Sequence, residues 1–272
     1  SMTIYEETHP ESKLQNPKVH KDFLLKLAEI VPPTCKPIVL TDAGFYSTWF
    51  KEIIQLGWDY IGRVRGQTKY KLKDMDSWIG CKTLYPQATN NPKFIGEILL
   101  STHKKHKCNA YIFKSNPQHR KRITVKGFVS RGSESKKNAN RNKEPWFLVT
   151  SLAGGNNIKK IVVGNYKKRM QIEENFRDTK SITYGFGLKQ HRTRSSNRID
   201  ILLLIGALAQ LITYIIGLCI LKANKHMTQQ ANTVKNQKVL SCIRLGLEYY
   251  RLKFCRVTKL QTLKTVKELS YA

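Results

Sequence analysis

The stretch 37–66, PIVLTDAGFYSTWFKEIIQLGWDYIGRVRG, changes pattern repeatedly in a short span. Ile38, Val39 and Leu40 form an apolar run that Gly44 closes, which suits a buried strand. FYSTWFKEIIQLG spaces its apolar residues as one helix face and ends on Gly57. WDYIGRVRG (58–66) reads as a second strand. Upstream, NPKVHKDFLLKLAEIV (16–31) carries Val19, Phe23, Leu24, Leu27 and Ile30 at helical spacing, and Pro32-Pro33 ends it. Helix, strand, helix and strand in quick order predict an α/β fold with helices packed on a sheet.

Downstream the texture changes. KYKLK, FIGEILLS, NAYIFK and RITVKGFVS are short alternating runs between turn signals, which predicts strands. RGSESKKNANRNKEP (131–145) is polar and charged, and is expected to be a mobile loop. PWFLVTSL (145–152) resumes a strand. One long helix is expected from about 157 to 180, then a glycine-broken turn, YGFGL, and helices near 196–224 and 235–255. This divides the chain into a first core part (1–66), a β-rich insertion (67–145), a second core part (146–194) and C-terminal helices (195–272). There is no internal repeat.

The 272 residues are 40% hydrophobic, enough for a sizeable core. The charge is lopsided, with 48 Lys and Arg against 19 Asp and Glu, a formal net of +29. Such a field calls for a polyanionic partner, and nucleic acid is the commonest. No two of the six cysteines form a C-x-x-C pair, which points to a reduced, cytoplasmic compartment. His103, His106 and Cys108 lie close together among lysines but lack a second ligand pair at zinc-like spacing. Ser1-Met2 reads as a cloning remnant, and TIYEETHP after it as the edge of something larger. Residues 201–221, ILLLIGALAQLITYIIGLCIL, carry no charge and are long enough to cross a bilayer. Gln210, Thr213 and Tyr214 sit mid-segment and basic residues flank both ends, so a helix buried in the core is the expectation.

YKKRMQIEENFRDTK (166–180) is the constellation that carries chemistry. At about 100° per residue, Arg169, Glu173, Arg177 and Lys180 all fall within roughly 60° of Tyr166 on a continuous helix. One carboxylate is outnumbered by cations on its own face, which suits phosphate; a salt-bridge ladder is the plainer alternative. Asp42 stands at the carboxyl end of IVLTD, where sites of α/β folds collect, although it can equally cap the following helix. A strand-end aspartate and a helix glutamate together suggest a carboxylate pair for Mg²⁺ acting on a phosphodiester.

These residues resemble a known family. YKKRMQIEENFRDTK matches the Y-x₂-R-x₃-E-x₆-K signature of the bacterial insertion-sequence-four DDE transposases. TDAGFYSTWFKEIIQLGWDYIGRVRG, KEPWFLVTSL, YGFGLKQHRTRSSNRIDILLLIGALAQL and QANTVKNQKVLSCIRLG are also similar to that family. The resemblance covers nearly the whole chain and is weakest over 67–143. It implies an RNase H-like core interrupted by a β-rich insertion, and cut-and-paste DNA transposition through double-strand breaks and a hairpin at the transposon end. It implies that Asp42 and Glu173 are catalytic metal ligands for Mg²⁺, with Mn²⁺ as substitute. Tyr166, Arg169 and Lys180 would grip phosphates, with Arg177 on the same face. Trp146 would stack near a flipped base, with Met170 beside it; a core tryptophan opening a strand is the alternative. The partners implied are transposon-end and target DNA at the nucleoid, no membrane, and a second copy as a homodimer in the synaptic complex. Arg192, Arg194 and Arg198 add nonspecific phosphate contact or are ordinary surface charge.

The family uses three carboxylates, the first on a strand that would precede residue 1. Asp22, the only aspartate before Asp42, lies within a helix and is expected to face solvent. The expectation is therefore a fragment that binds DNA but neither nicks nor joins it. A non-catalytic DNA-binding regulator and a peripheral membrane protein are the rival classes.

Overall fold

The computed structural model describes residues 2–116, 128, 129, 132, 133, 143–182, 185–230, 233, 234 and 238–270. The chain divides into two compact units, residues 12–170 and residues 1–11 with 171–272.

In the first unit, helix α1 (Pro17–Ile30) starts where Asn16 Oδ1 accepts the Lys18 N–H at 2.9 Å, with Pro17 pre-set for the first turn. Strand β1 (Ile38–Thr41) leads through the Asp42 turn to helix α2 (Ser47–Gln55). Gly57 follows that helix at φ +74°, the left-handed conformation a helix end favours. Then come β2 (Asp59–Val64), β3 (Lys69–Leu72), β4 (Ile79–Gly80), β5 (Lys93–Leu100), β6 (His106–Phe113) and β7 (Trp146–Thr150). They form one seven-stranded sheet in the order β1-β2-β7-β6-β5-β3-β4. β1 and β2 run parallel, with Thr41 opposite Gly62, and the other pairs are antiparallel. The strands of the 67–145 segment thus extend the sheet that β1 and β2 begin, because β7 pairs with both β2 and β6. Most of RITVKGFVS and of the 131–145 loop lies outside the described residues.

Both faces of the central strands are apolar, because neighbouring side chains alternate sides. Tyr60, Val64, Ala110, Ile112, Phe147 and Val149 point to the face covered by α1 and α2. Ile61, Tyr111, Phe113 and Leu148 point to the face covered by helix α3 (Lys159–Lys168). Gly62 exists for a close approach, since a Cβ there would lie 2.5 Å from the buried Phe50 ring. That ring stacks on Tyr60 at 4.4 Å, and the Tyr60 hydroxyl bonds His106 Nε2 at 2.7 Å.

The second unit is helical: α4 (Met170–Lys180), α5 (Ser196–Lys222), α6 (Cys242–Leu252) and α7 (Lys259–Leu269). Helices α5 and α6 touch backbone to backbone at two glycines. A Cβ on Gly217 would lie 1.8 Å from the Cys242 carbonyl oxygen, and one on Gly246 2.0 Å from that of Thr213. Thr8 fastens the N-terminal residues to α5 through Asp200, its hydroxyl donating at 2.7 Å.

The structure corrects two expectations. The apolar helix is not covered all round: Ile201, Leu204, Ile205, Leu208, Leu211 and Ile212 are exposed, because α6 and α7 take only its other face. It is the one helix among the described residues long and apolar enough, by length and composition, to cross a bilayer. Its buried Gln210 donates to Thr179 Oγ1 at 2.6 Å. Nor is the segment 157–180 one helix. Arg169 ends α3 with its N–H on the Tyr166 carbonyl at 3.1 Å, three residues back rather than four.

Candidate nucleic-acid interface

Asp42 follows β1 in an exposed turn, and its Oδ1 accepts the Gly44 N–H at 2.8 Å. That bond orients the carboxylate and leaves its other oxygen for a ligand. The sheet register sets Arg63 one residue beyond Gly62, which opposes Thr41, so Arg63 stands on the strand beside Asp42. By alternation it faces the same side as Ile61, toward α3.

On that side Tyr166 is 2% exposed and lies edge-on to Trp146, with ring centres 5.0 Å apart. Trp146 in turn packs on Phe113 at 5.6 Å, and Lys167 Nζ stands 5.1 Å from the Phe113 ring. The Arg169 guanidinium sits 5.8 Å from the Tyr166 ring and donates to Met170 Sδ at 3.6 Å. Arg63 reaches back to the Glu144 carbonyl oxygen at 3.5 Å.

These groups also act on one another's charge. Burial raises the Tyr166 pKa above the ordinary phenol value; Arg169 and Arg63 pull it down, and Asp42 pushes it up. Burial lowers the Arg63 pKa, Tyr166 supports its charge and Arg65 opposes it. Tyr85 is pushed up to about 12 by burial first, then by Cys81 and Glu144. A guanidinium keeps its charge through such shifts, so two fixed cations flank one protonated phenol. Guanidinium donors offer hydrogen bonds in several directions, the geometry that suits phosphate.

Asp42, Trp146, Tyr166, Arg169 and Met170 therefore belong to one unit, and Glu173, Arg177 and Lys180 to the other. Arg169, a single turn residue, separates α3, which carries Tyr166, from α4, which carries Glu173, Arg177 and Lys180. Tyr166 is buried, whereas Glu173, Arg177 and Lys180 are exposed on α4. There Arg177 Nε lies 4.0 Å from Asp178 Oδ1, and Lys180 Nζ lies 5.5 Å from the Phe176 ring.

Arg63 is the residue that reading the sequence missed. The signal was an arginine inside the otherwise apolar strand YIGRV, next to the strand that ends in Asp42. His106 and Cys108 are buried, and all six cysteines are free thiols. Among the described residues no three His, Cys, Asp or Glu side chains group as a metal cluster. The donor chemistry of Asp42, one oriented hard oxygen, fits a divalent cation that takes its other ligands from phosphate and water.

A family model described as the Transposase DDE domain matches residues 14–210, a range that contains Asp42, Arg63, Trp146, Tyr166, Arg169, Met170, Glu173, Arg177 and Lys180. A comparison with curated proteins found no match.

Proposed function

The chain belongs to the DDE transposase family, and on that premise we propose that it serves cut-and-paste DNA transposition as a member of the insertion-sequence-four group, on the branch of the transposase of transposon ten. Its mixed sheet with helices on both faces is the RNase H-like α/β fold of such enzymes. The observation that carries the reading is that the fold puts Asp42, at the end of β1, on the strand edge beside Arg63, with Tyr166 and Arg169 on the sheet face that Arg63 points to, residues far apart in the sequence. A binding surface needs only cations. An oriented carboxylate beside them adds a group that repels phosphate and has a use where a phosphodiester is cut.

Asp42 and Glu173 are assigned as the two acids that would hold a divalent cation, Mg²⁺ or Mn²⁺ in its place. When bound, that ion activates the attacking oxygen and stabilises the leaving one. Tyr166, Arg169, Arg177 and Lys180 hold backbone phosphates at the transposon end. Trp146 and Met170 frame an extruded base, with Trp146 already held edge-on by Tyr166. Two copies act together on two ends at the nucleoid, and helix α5 meets protein rather than lipid.

We assign no third acid. Asp22, the aspartate upstream of Asp42, is exposed on α1. The reading taken forward is a chain that binds end DNA without cutting it, with a DNA-binding regulator as the second reading. Incubation of the protein with transposon-end duplex and Mg²⁺ or Mn²⁺ decides. Binding without nicks is expected. Nicking that Glu173→Gln abolishes would show instead a complete active centre in this chain.

A further inference from the structure

Among the described residues of the sheet-bearing unit, two clefts differ in the charge of their linings. One, about 450 Å³, holds Lys36, Asp59, Glu97 and Lys107. Its charges are already paired, Lys36 with Asp59 at 2.9 Å and Lys107 with Glu97 at 3.0 Å. The other, about 670 Å³, begins one residue beyond Asp42 and has no acidic residue in its lining. Its cations are Arg65 and Lys69, with His103 beside them, and none of the three has an ion-pair partner among the described residues.

The same cleft carries the rings of Phe45, Tyr46 and Phe50. Phe45 is fixed from behind by Trp49 at 4.7 Å and His20 at 5.2 Å. Tyr46 is 56% exposed, and its side chain makes no capping bond to α2. A large exposed ring beside uncompensated cations is what a single strand requires: a platform for a base and charge for its backbone. The volume lies in the range of about 300–1,000 Å³ usual for ligand sites. Phe50, Val64 and Leu100 floor the cleft, so it opens on the opposite sheet face from Tyr166 and Trp146.

We propose that this cleft binds one unstacked nucleotide of a DNA single strand, its base on Tyr46 and its phosphates on Arg65 and Lys69. The proposal rests on the transposase reading for the identity of the polymer, and it adds a second aromatic site remote from the one at Trp146. A strand held here lies next to Asp42 without occupying the Tyr166–Arg169 cluster.

The test is fluorescence anisotropy of the whole chain with a labelled oligo-dT strand and, separately, with duplex DNA, each over a salt series. Tyr46→Ala is expected to weaken single-strand binding roughly tenfold, the weight of one stacked base, and Tyr46→Phe to retain it. Arg65→Gln with Lys69→Gln is expected to flatten the salt dependence by about 0.7 for each phosphate no longer neutralised. Lys107→Gln, in the ion-paired cleft, is expected to change neither. Thermal unfolding midpoints of these surface variants should match the parent, which separates weaker binding from a failure to fold. Photo-crosslinking of a 5-iodouracil strand is expected to label Tyr46 or Phe45. Single-strand affinity and salt slope unchanged in both Tyr46→Ala and the double variant overturn the proposal. So does duplex binding with no single-strand binding, which leaves the transposase reading standing. A chain that binds neither form of DNA overturns both.

Discussion

Protonation of His106 links the core of the sheet to pH, and its size can be worked out. His106 is 5% exposed at the start of β6, where its Nε2 meets the Tyr60 hydroxyl at 2.7 Å. Burial first, and Lys51 second, lower its pKa from 6.5 to about 4. The unfolded chain takes up this proton near pH 6.5, while the folded chain resists until about pH 4. Between those values the unfolded state binds more protons, so stability is full above pH 6.5 and falls as pH falls. A gap of about 2.5 pH units at 1.36 kcal/mol each gives about 3 kcal/mol in all, of which about 2 kcal/mol is lost by pH 5. All four tryptophans lie in the sheet-bearing unit, so their fluorescence in a urea titration reports that unit alone. His106→Phe keeps a ring against Phe50 and Tyr60 but removes the titrating group. It is expected to cost about 1–3 kcal/mol at pH 8, for the Tyr60 hydroxyl left without its partner, and to lose less stability than the parent between pH 8 and pH 5. Carboxylates titrate in both proteins, so the difference isolates the histidine. Equal losses in parent and variant would refute the reasoning.

Further outcomes follow from packing. Tyr166→Ala removes a buried ring and its packing against Trp146, and is expected to cost about 3–5 kcal/mol in a denaturant titration. Tyr166→Phe should fold nearly as stably as the parent yet bind transposon-end duplex roughly tenfold more weakly in a gel-shift assay, since only the hydroxyl between two guanidiniums is removed. Gly62→Ala forces a methyl against Phe50, a fully buried ring stacked on Tyr60, and should destabilise by about 1–3 kcal/mol by the same titration. Gly246→Val sets a branched side chain against the Thr213 carbonyl and should open the α5–α6 interface, seen as faster amide hydrogen exchange in both helices.

Much of this was legible in the sequence, for identifiable reasons. The helix at 17–30 announced itself by apolar residues at helical spacing and by the prolines after its end. The strands at 38–41, 59–64 and 146–150 showed as apolar runs because both their faces are covered. The break at Arg169 was illegible, since no glycine or proline marks it and every neighbour is a good helix former. The open side of α5 was equally hidden: an apolar sequence does not say which of its faces finds a partner. At the site, motif spacing singled out Tyr166 and Arg169, and position at a strand end singled out Asp42. It could not find Arg63, whose place depends on the register of β1 against β2. Nor could it find the cleft at Tyr46 and Arg65, which only the fold assembles.

The central claim is that Asp42 and Glu173 serve one divalent ion on DNA. Electron paramagnetic resonance of Mn²⁺ titrated into the protein with transposon-end duplex tests it most directly. The account predicts a bound Mn²⁺ signal that Asp42→Asn and Glu173→Gln each weaken, and that the two together weaken no more than either alone. Undiminished Mn²⁺ binding by the double variant would contradict it, and would leave the cations around Tyr166 as a DNA-binding surface only.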